Sequence, residues 1–223
     1  DLSRANTIFA VKEIPTNLLA ENKTYLFFSH TIKGQPYNMD MLRRLMALKC
    51  NLIDYERIVN EKNQRLIFFG AHAGYAGIIE TLFAYARKME KNGVDSPLSR
   101  IRQAYEYASL DAAKDHVKEI SNQISSEGLP KEMAPLVVGF AGYGNVSKGA
   151  QEIFDLLPSI EIKPSELAAI RNSDTHDPKV IYKVVFREED MVQPVSGEFD
   201  LQDYYDHPQK YESTMENHLP HLD

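Results

Sequence analysis

The sequence has 223 residues, a formal net charge of -7 and 43% hydrophobic residues. This composition is typical of an acidic globular protein of one or two domains, and it argues against nucleic acid or an anionic membrane surface as a partner. A single cysteine, Cys50, excludes an intrachain disulfide and a cysteine metal cluster, and no apolar stretch is long enough for a membrane span.

Short apolar runs alternate with polar segments in the first part of the chain. They predict strands at residues 8–11, 24–28, 51–54 and 65–69, with a turn at residues 62–63 before the last. A helix is expected at residues 38–48, capped by Asn38, with Leu42, Leu45 and Met46 facing inward.

Two longer helices follow, and each has an apolar stripe at helical spacing. The first begins in the small-residue segment at residues 70–77 and runs to about Glu90, and the second, capped by Ser109, covers residues 110–125. The inward positions are Ile78, Leu82, Ala86 and Met89 in the first and Ala113, Val117, Ile120 and Ile124 in the second. We predict a domain boundary near residue 130, with a substrate-binding and catalytic domain at residues 1–130 and a dinucleotide-binding domain at residues 131–223.

A glycine motif stands at the centre of the second predicted domain. The run Leu136–Ala141 is predicted to be a buried parallel strand, and Gly142, Gly144 and Ser147 follow it before a helix at residues 146–157. In this context Gly142 permits a tight turn, Gly144 lets a pyrophosphate approach the backbone, and small Ser147 permits close helix packing. The alternative is a glycine turn between two core elements with no ligand.

Further strands are predicted at residues 159–162 and 180–186, with a short helix from residue 164 and an irregular tail from residue 187. A full dinucleotide fold has about six strands, so we expect both domains to be incomplete in this piece of a longer protein. The acid near the end of the second strand, Glu161, would favour NAD through the ribose hydroxyls, whereas Lys163 would meet a 2′-phosphate. The sequence does not decide between NADP and NAD.

Polar side chains lie at or beside the ends of the first predicted strands. Parallel strands of one sheet would bring Lys12, His30 and Glu56 to one edge, where a lysine and a histidine could exchange protons near neutral pH. The alternative is a solvated Lys12–Glu13 pair and a histidine with a purely structural role. His207, His218 and His221 are too dispersed for a zinc site, so no metal is expected.

An ordered series of segments carries a resemblance to a known family. The segments are residues 24–35, 52–56, 65–77 and 142–150, of which residues 27–35 and the run Gly142, Gly144, Asn145, Val146, Ser147 are the specific parts. The chain resembles the lysine–2-oxoglutarate reductase (saccharopine-forming) part of the bifunctional aminoadipic semialdehyde synthase family. It is similar more distantly to saccharopine dehydrogenase and alanine dehydrogenase.

The resemblance implies two Rossmann-like parallel-sheet domains with a cleft between them. It implies an enzyme that condenses the side-chain amine of lysine with 2-oxoglutarate and reduces the imine with NADPH or NADH. By resemblance Lys12 and His30 form the acid–base pair and Glu56 tunes their charge. Arg65, Lys33 and Gln35 bind substrate carboxylates, while the glycine run, including Asn145 and Val146, binds the cofactor.

Two other hypotheses stay open. One is an alanine dehydrogenase-like enzyme acting on a small 2-oxo acid with ammonia, and the other is a nucleotide-binding module without turnover. We expect small-molecule amino-acid and 2-oxo-acid partners and a cytoplasmic location, or the mitochondrial matrix if the source is eukaryotic. Whether the protein forms a homo-oligomer is left open.

Overall fold

The computed structural model describes residues 4–173 and 175–223, and the fold is mixed α/β with parallel sheets, as predicted. The helices are α1 Pro36–Ala47, α2 Gly70–Lys91, α3 Leu110–Glu127, α4 Asn145–Phe154, α5 Leu167–Arg171, α6 Glu188–Met191 and α7 Leu201–Asp206. The strands are β1 Thr7–Lys12, β2 Thr24–Phe28, β3 Asn51–Asp54, β4 Leu136–Ala141, β5 Ser159–Ile162, β6 Ile181–Phe186, β7 Val192–Pro194 and β8 Tyr211–Ser213. Among the described residues, no helix has the length and apolar character of a membrane span.

The chain divides into two compact units, Asp1–Phe69 (unit 1) and Gly70–Asp223 (unit 2). This division lies well before the boundary predicted near residue 130. The reason is that the inward stripes of α2 and α3 share one core with β4 and α4: Ile78 and Ile120 belong to the same buried cluster as Leu136 and Ile153. The functional assignment of the two predicted domains stays a prediction.

Unit 1 is built on a three-stranded parallel sheet of order β1-β2-β3. Tyr25 and Phe27 of the central strand are fully buried and pack in one cluster with Met41 and Leu45 of α1. Alternate residues of β2 therefore cover α1 on one face, which is the pattern that the period of two residues in a strand produces. The parallel arrangement brings the carboxyl ends of all three strands to one edge.

Three predictions in unit 1 were wrong in detail. The helix α1 begins at Pro36, which supplies the fixed backbone angle of a first helical residue, so Asn38 is a buried helical residue and not the cap. Met46 is 70% exposed, and Met41 takes the inward position instead. Residues 65–69 follow the predicted turn but form no strand. Arg65 makes one isolated β-bridge with Val59, and no further strand pairing follows it within the described residues.

Unit 2 contains the parallel sheet β4-β6-β5, whose strands lie close to their predicted positions. The strand order was not predicted: β6 lies between β4 and β5, so the strand that is second in sequence is not adjacent to the strand before the glycine turn. The buried Lys183 of β6 donates to Asp155 at 2.8 Å and forms an ion pair with Glu161 of β5 at 2.9 Å. Its ammonium group therefore has carboxylate partners despite its burial.

Helices α2 and α4 pack at very short range through two glycines. A Cβ built on Gly74 would lie 2.0 Å from the carbonyl oxygen of Val146, and one built on Gly149 would lie 2.2 Å from that of Ala71. Both distances are far below van der Waals contact, so only glycine fits at these two positions. The small-residue packing that was predicted at Ser147 against the strand is found two residues later, at Gly149, and against helix α2.

The region after β6 is more regular than predicted. Short helix α6 precedes a two-stranded antiparallel sheet in which Val192 pairs with Ser213, and short helix α7 lies between its two strands. Helix α4 also ends at Phe154, before the predicted end at Leu157, and Val146 is 54% exposed in place of facing inward. Ile153, Phe154 and Leu157 are buried as predicted.

Candidate active site and nucleotide site

The carboxyl edge of the unit 1 sheet holds five chemically active side chains, Lys12, Glu13, His30, Glu56 and Arg65, which we call the edge cluster. Strand β1 ends at Lys12, while β2 and β3 end shortly before His30 and Glu56. The parallel register, with Lys12 opposite Phe28 and Phe27 opposite Asp54, aligns these three strand ends. The structure thus brings the predicted residues to one edge, while their roles in a reaction stay predictions.

His30 is oriented by Glu13, a residue that the sequence pattern did not indicate as part of the site. Its Nδ1 lies 3.0 Å from Glu13 Oε2, and its ring stacks on Phe28 with centroids 6.4 Å apart. The backbone of His30 has a φ of 50°, an uncommon conformation for a residue with a side chain. A carboxylate that accepts from Nδ1 leaves Nε2 as the nitrogen able to take up a proton.

The Glu13 carboxylate is stabilised in its charged form. Partial burial alone raises its pKa, but hydrogen bonds from its own backbone N–H, from His30 and from Asn38 outweigh this, so the pKa of Glu13 lies below its ordinary value. Lys12 was predicted as the partner of His30. Its side chain is exposed and makes no hydrogen bond or ion pair within the described part of the chain.

Arg65 and Glu56 form the second pair of the edge cluster. Arg65 Nη1 lies 3.4 Å from Glu56 Oε1, and the guanidinium stands 5.2 Å from the centre of the Phe28 ring. The other carboxylate oxygen of Glu56 is buried with no hydrogen-bond partner among the described residues, and so is Gln35 Oε1. A buried acceptor of this kind is completed in native proteins by a water, an ion or a ligand. Lys33, two residues before Gln35, is exposed.

Hydrogen bonds between buried polar groups stabilise this edge of the sheet. Ser29, which is fully buried, donates to Asp54 Oδ2, and Asp54 Oδ1 accepts from the backbone N–H of Glu56 at 2.8 Å. Buried Asn38 donates to the carbonyl oxygen of Ser29 at 2.8 Å. These bonds connect the ends of β2 and β3 to α1 and fix the backbone on which His30 and Glu56 are carried.

In unit 2 the predicted glycine turn leaves its backbone open to a ligand. Gly142 has a φ of 90°, and a Cβ at Gly142 or Gly144 would meet open space, so the backbone is accessible at both. A cavity of about 460 Å³ runs along the turn and is lined by Asn145, Val146 and Ser147 at the start of α4. The N–H groups of a first helical turn have no partner within the helix, and Gly144 adds no side-chain cap, so they are available to an anion.

Ser147 is held by its own helix, since its hydroxyl accepts from Gln151 Nε2 at 2.9 Å. Glu161, the predicted ribose-binding acid, does not lie beside the turn, because β6 separates its strand from β4 and its carboxylate pairs with Lys183. Lys163 directly follows β5, so it also lies away from the turn. The backbone beside the turn is instead that of Phe186, whose carbonyl accepts from Gly142 N–H at 2.9 Å.

Comparisons with known proteins address the family. Residues 1–76 match the family profile described as "Alanine dehydrogenase/PNT, N-terminal domain". The alpha-aminoadipic semialdehyde synthase of Arabidopsis thaliana is 37% identical over 222 residues, which cover 95% of this chain and 21% of the plant protein. The chain is a relative of the aminoadipic semialdehyde synthases, and its first 76 residues match an alanine dehydrogenase-type N-terminal domain. The resemblance seen in the sequence is thereby confirmed.

Mammalian proteins of the same name are equally similar. The mitochondrial alpha-aminoadipic semialdehyde synthase of Bos taurus is 38% identical over 95% of this chain and 23% of its own length. The chain thus spans between a fifth and a quarter of these relatives. Among solved structures, an L-alanine dehydrogenase aligns with a TM-score of 0.40 and 14% identity over 82% of this chain and 43% of that chain.

Proposed function

We propose that this chain is part of an NAD(P)H-dependent oxidoreductase of lysine metabolism that condenses L-lysine with 2-oxoglutarate to saccharopine, or runs the reverse reaction. The observation that carries the proposal is the similarity to aminoadipic semialdehyde synthases along 95% of the chain. The edge cluster and the glycine turn supply the two kinds of chemistry that such a reaction needs, namely proton transfer and nucleotide binding.

In the proposed reaction the lysine amine attacks the 2-oxo carbon, and water leaves the resulting carbinolamine to give an imine. His30 takes up and returns protons through Nε2, because Glu13 holds the proton on Nδ1. Lys12 is the second acid–base group, and its exposed position at the strand end leaves it accessible to a substrate. Glu13 is a positioning residue in this scheme, since it acts through His30.

Arg65 binds a substrate carboxylate in a bidentate arrangement, with Glu56 and Phe28 fixing its guanidinium. Lys33 and Gln35 contribute further donors at the same edge. A bound nicotinamide cofactor supplies the hydride that reduces the imine. The chain's own part is to hold the pyrophosphate at the glycine turn with the backbone of Gly142, Gly144 and the first turn of α4.

The test follows the absorbance of NADPH and of NADH with the full-length protein and lysine plus 2-oxoglutarate. We expect oxidation that depends on both substrates and is lost in His30→Ala. Replacement of the exposed His207 by alanine is the matched control and should leave the rate unchanged. Absence of oxidation in the parent protein contradicts the proposal.

A second candidate is an alanine dehydrogenase-like reaction with a small 2-oxo acid and ammonia, which the family match of residues 1–76 favours. Turnover with pyruvate and ammonia but not with lysine would select it. Nucleotide binding without turnover on either substrate pair would instead indicate a binding module. We also propose small molecules as the partners, and a mitochondrial location if the source is eukaryotic.

A further inference from the structure

The glycine turn carries one side chain between its two glycines, that of Tyr143, and this side chain is held from outside the turn. The hydroxyl of Tyr143 donates to the carboxylate of Glu188, the first residue of α6, and this bond raises the pKa of Tyr143. Glycine loses more conformational entropy on ordering than any other residue. A contact that fixes Tyr143 therefore limits the motion of Gly142 and Gly144 before a ligand binds.

Glu188 accepts from a second tyrosine as well. Its Oε1 lies 2.6 Å from the hydroxyl of Tyr205, which is on α7. The hydrogen bonds from Tyr205, from its own backbone N–H and from Tyr143 keep the pKa of Glu188 below its ordinary value despite partial burial. The same carboxylate raises the pKa of Tyr205 to about 12. One charged acceptor thus joins the glycine turn to a helix that lies beyond β7 in the chain.

Residues 192–213, which we call the tail module, hold Tyr205 in place. In this module β7 pairs with β8, and α7 lies between the two strands in the chain. The ring of Tyr211 on β8 packs edge-on against that of Tyr204 on α7, with centroids 5.2 Å apart. The hydroxyl of Tyr211 donates to the carbonyl oxygen of Asp200, the N-cap of α7, at 3.0 Å. These contacts fix α7 on β8, so the hydroxyl of Tyr205 reaches its acceptor without further ordering.

We propose that Glu188 is a positioning residue for the nucleotide site, which binds Tyr143 on one side and Tyr205 on the other and so lets the tail module fix the glycine turn in its ligand-binding conformation. The inference rests on the proposed nucleotide site at the turn. It concerns the affinity of that site for any dinucleotide and not the choice between NADP and NAD. Loss of the Tyr205 hydroxyl is therefore expected to loosen the backbone of the turn, which Tyr205 contacts only through Glu188.

The test removes single hydroxyl groups from the full-length protein. Tyr205→Phe keeps the ring and loses only the donor to Glu188. We expect NADH and NADPH, followed by their fluorescence, to bind about threefold to tenfold more weakly, and the amides of residues 142–144 to exchange hydrogen with solvent faster. Tyr204→Phe is the matched control, because its hydroxyl is on the same helix and makes no hydrogen bond within the described residues. Both measurements should keep their parent values in Tyr204→Phe.

A double-mutant cycle separates positioning from a general loss of structure. If Tyr143 and Tyr205 act through one carboxylate, the double variant Tyr143→Phe, Tyr205→Phe should lose less affinity than the product of the two single effects. Tyr205 is exposed, so unchanged thermal unfolding should confirm the fold of its variant.

The outcomes distinguish this inference from the proposed function. Strictly multiplicative losses in the cycle, or parent-like affinity and hydrogen exchange in Tyr205→Phe, overturn the inference and leave the nucleotide site in place. Weaker binding in Tyr204→Phe of the same size as in Tyr205→Phe also overturns it, because the effect would then come from the packing of α7. A parent protein that binds neither NADH nor NADPH contradicts the proposed function, and the inference fails with it.

Discussion

Replacement of Gly74 by alanine tests the close packing of α2 on α4. The new Cβ would lie 2.0 Å from the carbonyl oxygen of Val146 and 2.5 Å from the amide nitrogen of Ala150, where ordinary contacts begin at 3.4 Å. The Cβ and that oxygen would have to move apart by more than 1 Å, and since both neighbours are backbone atoms, no side chain can rotate away. Overpacking of this kind lowers the free energy of unfolding by about 3 kcal/mol, and the higher helix propensity of alanine offsets about 1 kcal/mol of that loss.

The expected net loss is therefore about 2 kcal/mol, a factor of about 30 in the ratio of folded to unfolded protein. Gly77 is the matched control, because it lies in the same helix and a Cβ there meets nothing within 4 Å. Gly77→Ala should stabilise unit 2 by about 0.5–1 kcal/mol. Urea unfolding followed by circular dichroism measures both changes. Parent-like stability of Gly74→Ala, or an equal loss in Gly77→Ala, would refute this account of the packing.

Three further changes test the turn and the edge cluster. Gly142→Ala forces a side chain into a φ of 90° and should cost about 1–2 kcal/mol in urea unfolding and weaken nucleotide binding; unaltered binding would contradict the role of the turn. Ser29→Ala removes the buried donor to Asp54 and should destabilise unit 1 by about 1–3 kcal/mol, whereas a neutral effect would mean that water replaces the hydroxyl. Because the folded pKa of Glu13 is lowered, its contribution to stability is present above its ordinary pKa and is lost as the pH falls through the folded value. The stability difference between the parent and Glu13→Gln should therefore shrink on acidification, and a difference independent of pH would count against the His30–Glu13 pair.

Local patterns predicted most of the individual elements. The stripe from Ile78 to Met89 predicted the buried face of α2, because side chains three and four positions apart share one face of a helix. The short apolar run Leu136–Ala141 with the glycines after it predicted a strand, a turn and a helix in the correct order. These features depend on a few neighbouring residues, and a sequence displays them directly.

Features that depend on distant pairing were not predicted. Nothing local to β5 and β6 encodes which of them hydrogen-bonds to β4, so the sequence did not show that Glu161 lies away from the turn. The pair of Glu13 with His30 joins residues 17 positions apart, and the left-handed backbone at His30 is uncommon for a residue other than glycine, so the sequence indicates neither feature. The run at residues 65–69 has strand composition but finds no strand to pair with among the described residues.

The division of the chain at residue 70 determines how unit 2 could be isolated. A fragment that begins at residue 131, as the sequence pattern suggests, would lack the helix that packs on the first turn of α4 and would expose Ile153 and Phe154 to water. Such a polypeptide is expected to aggregate. A fragment that begins at Gly70 retains the whole core of that unit and is the shorter piece to express for crystallisation or for ligand screening by nuclear magnetic resonance.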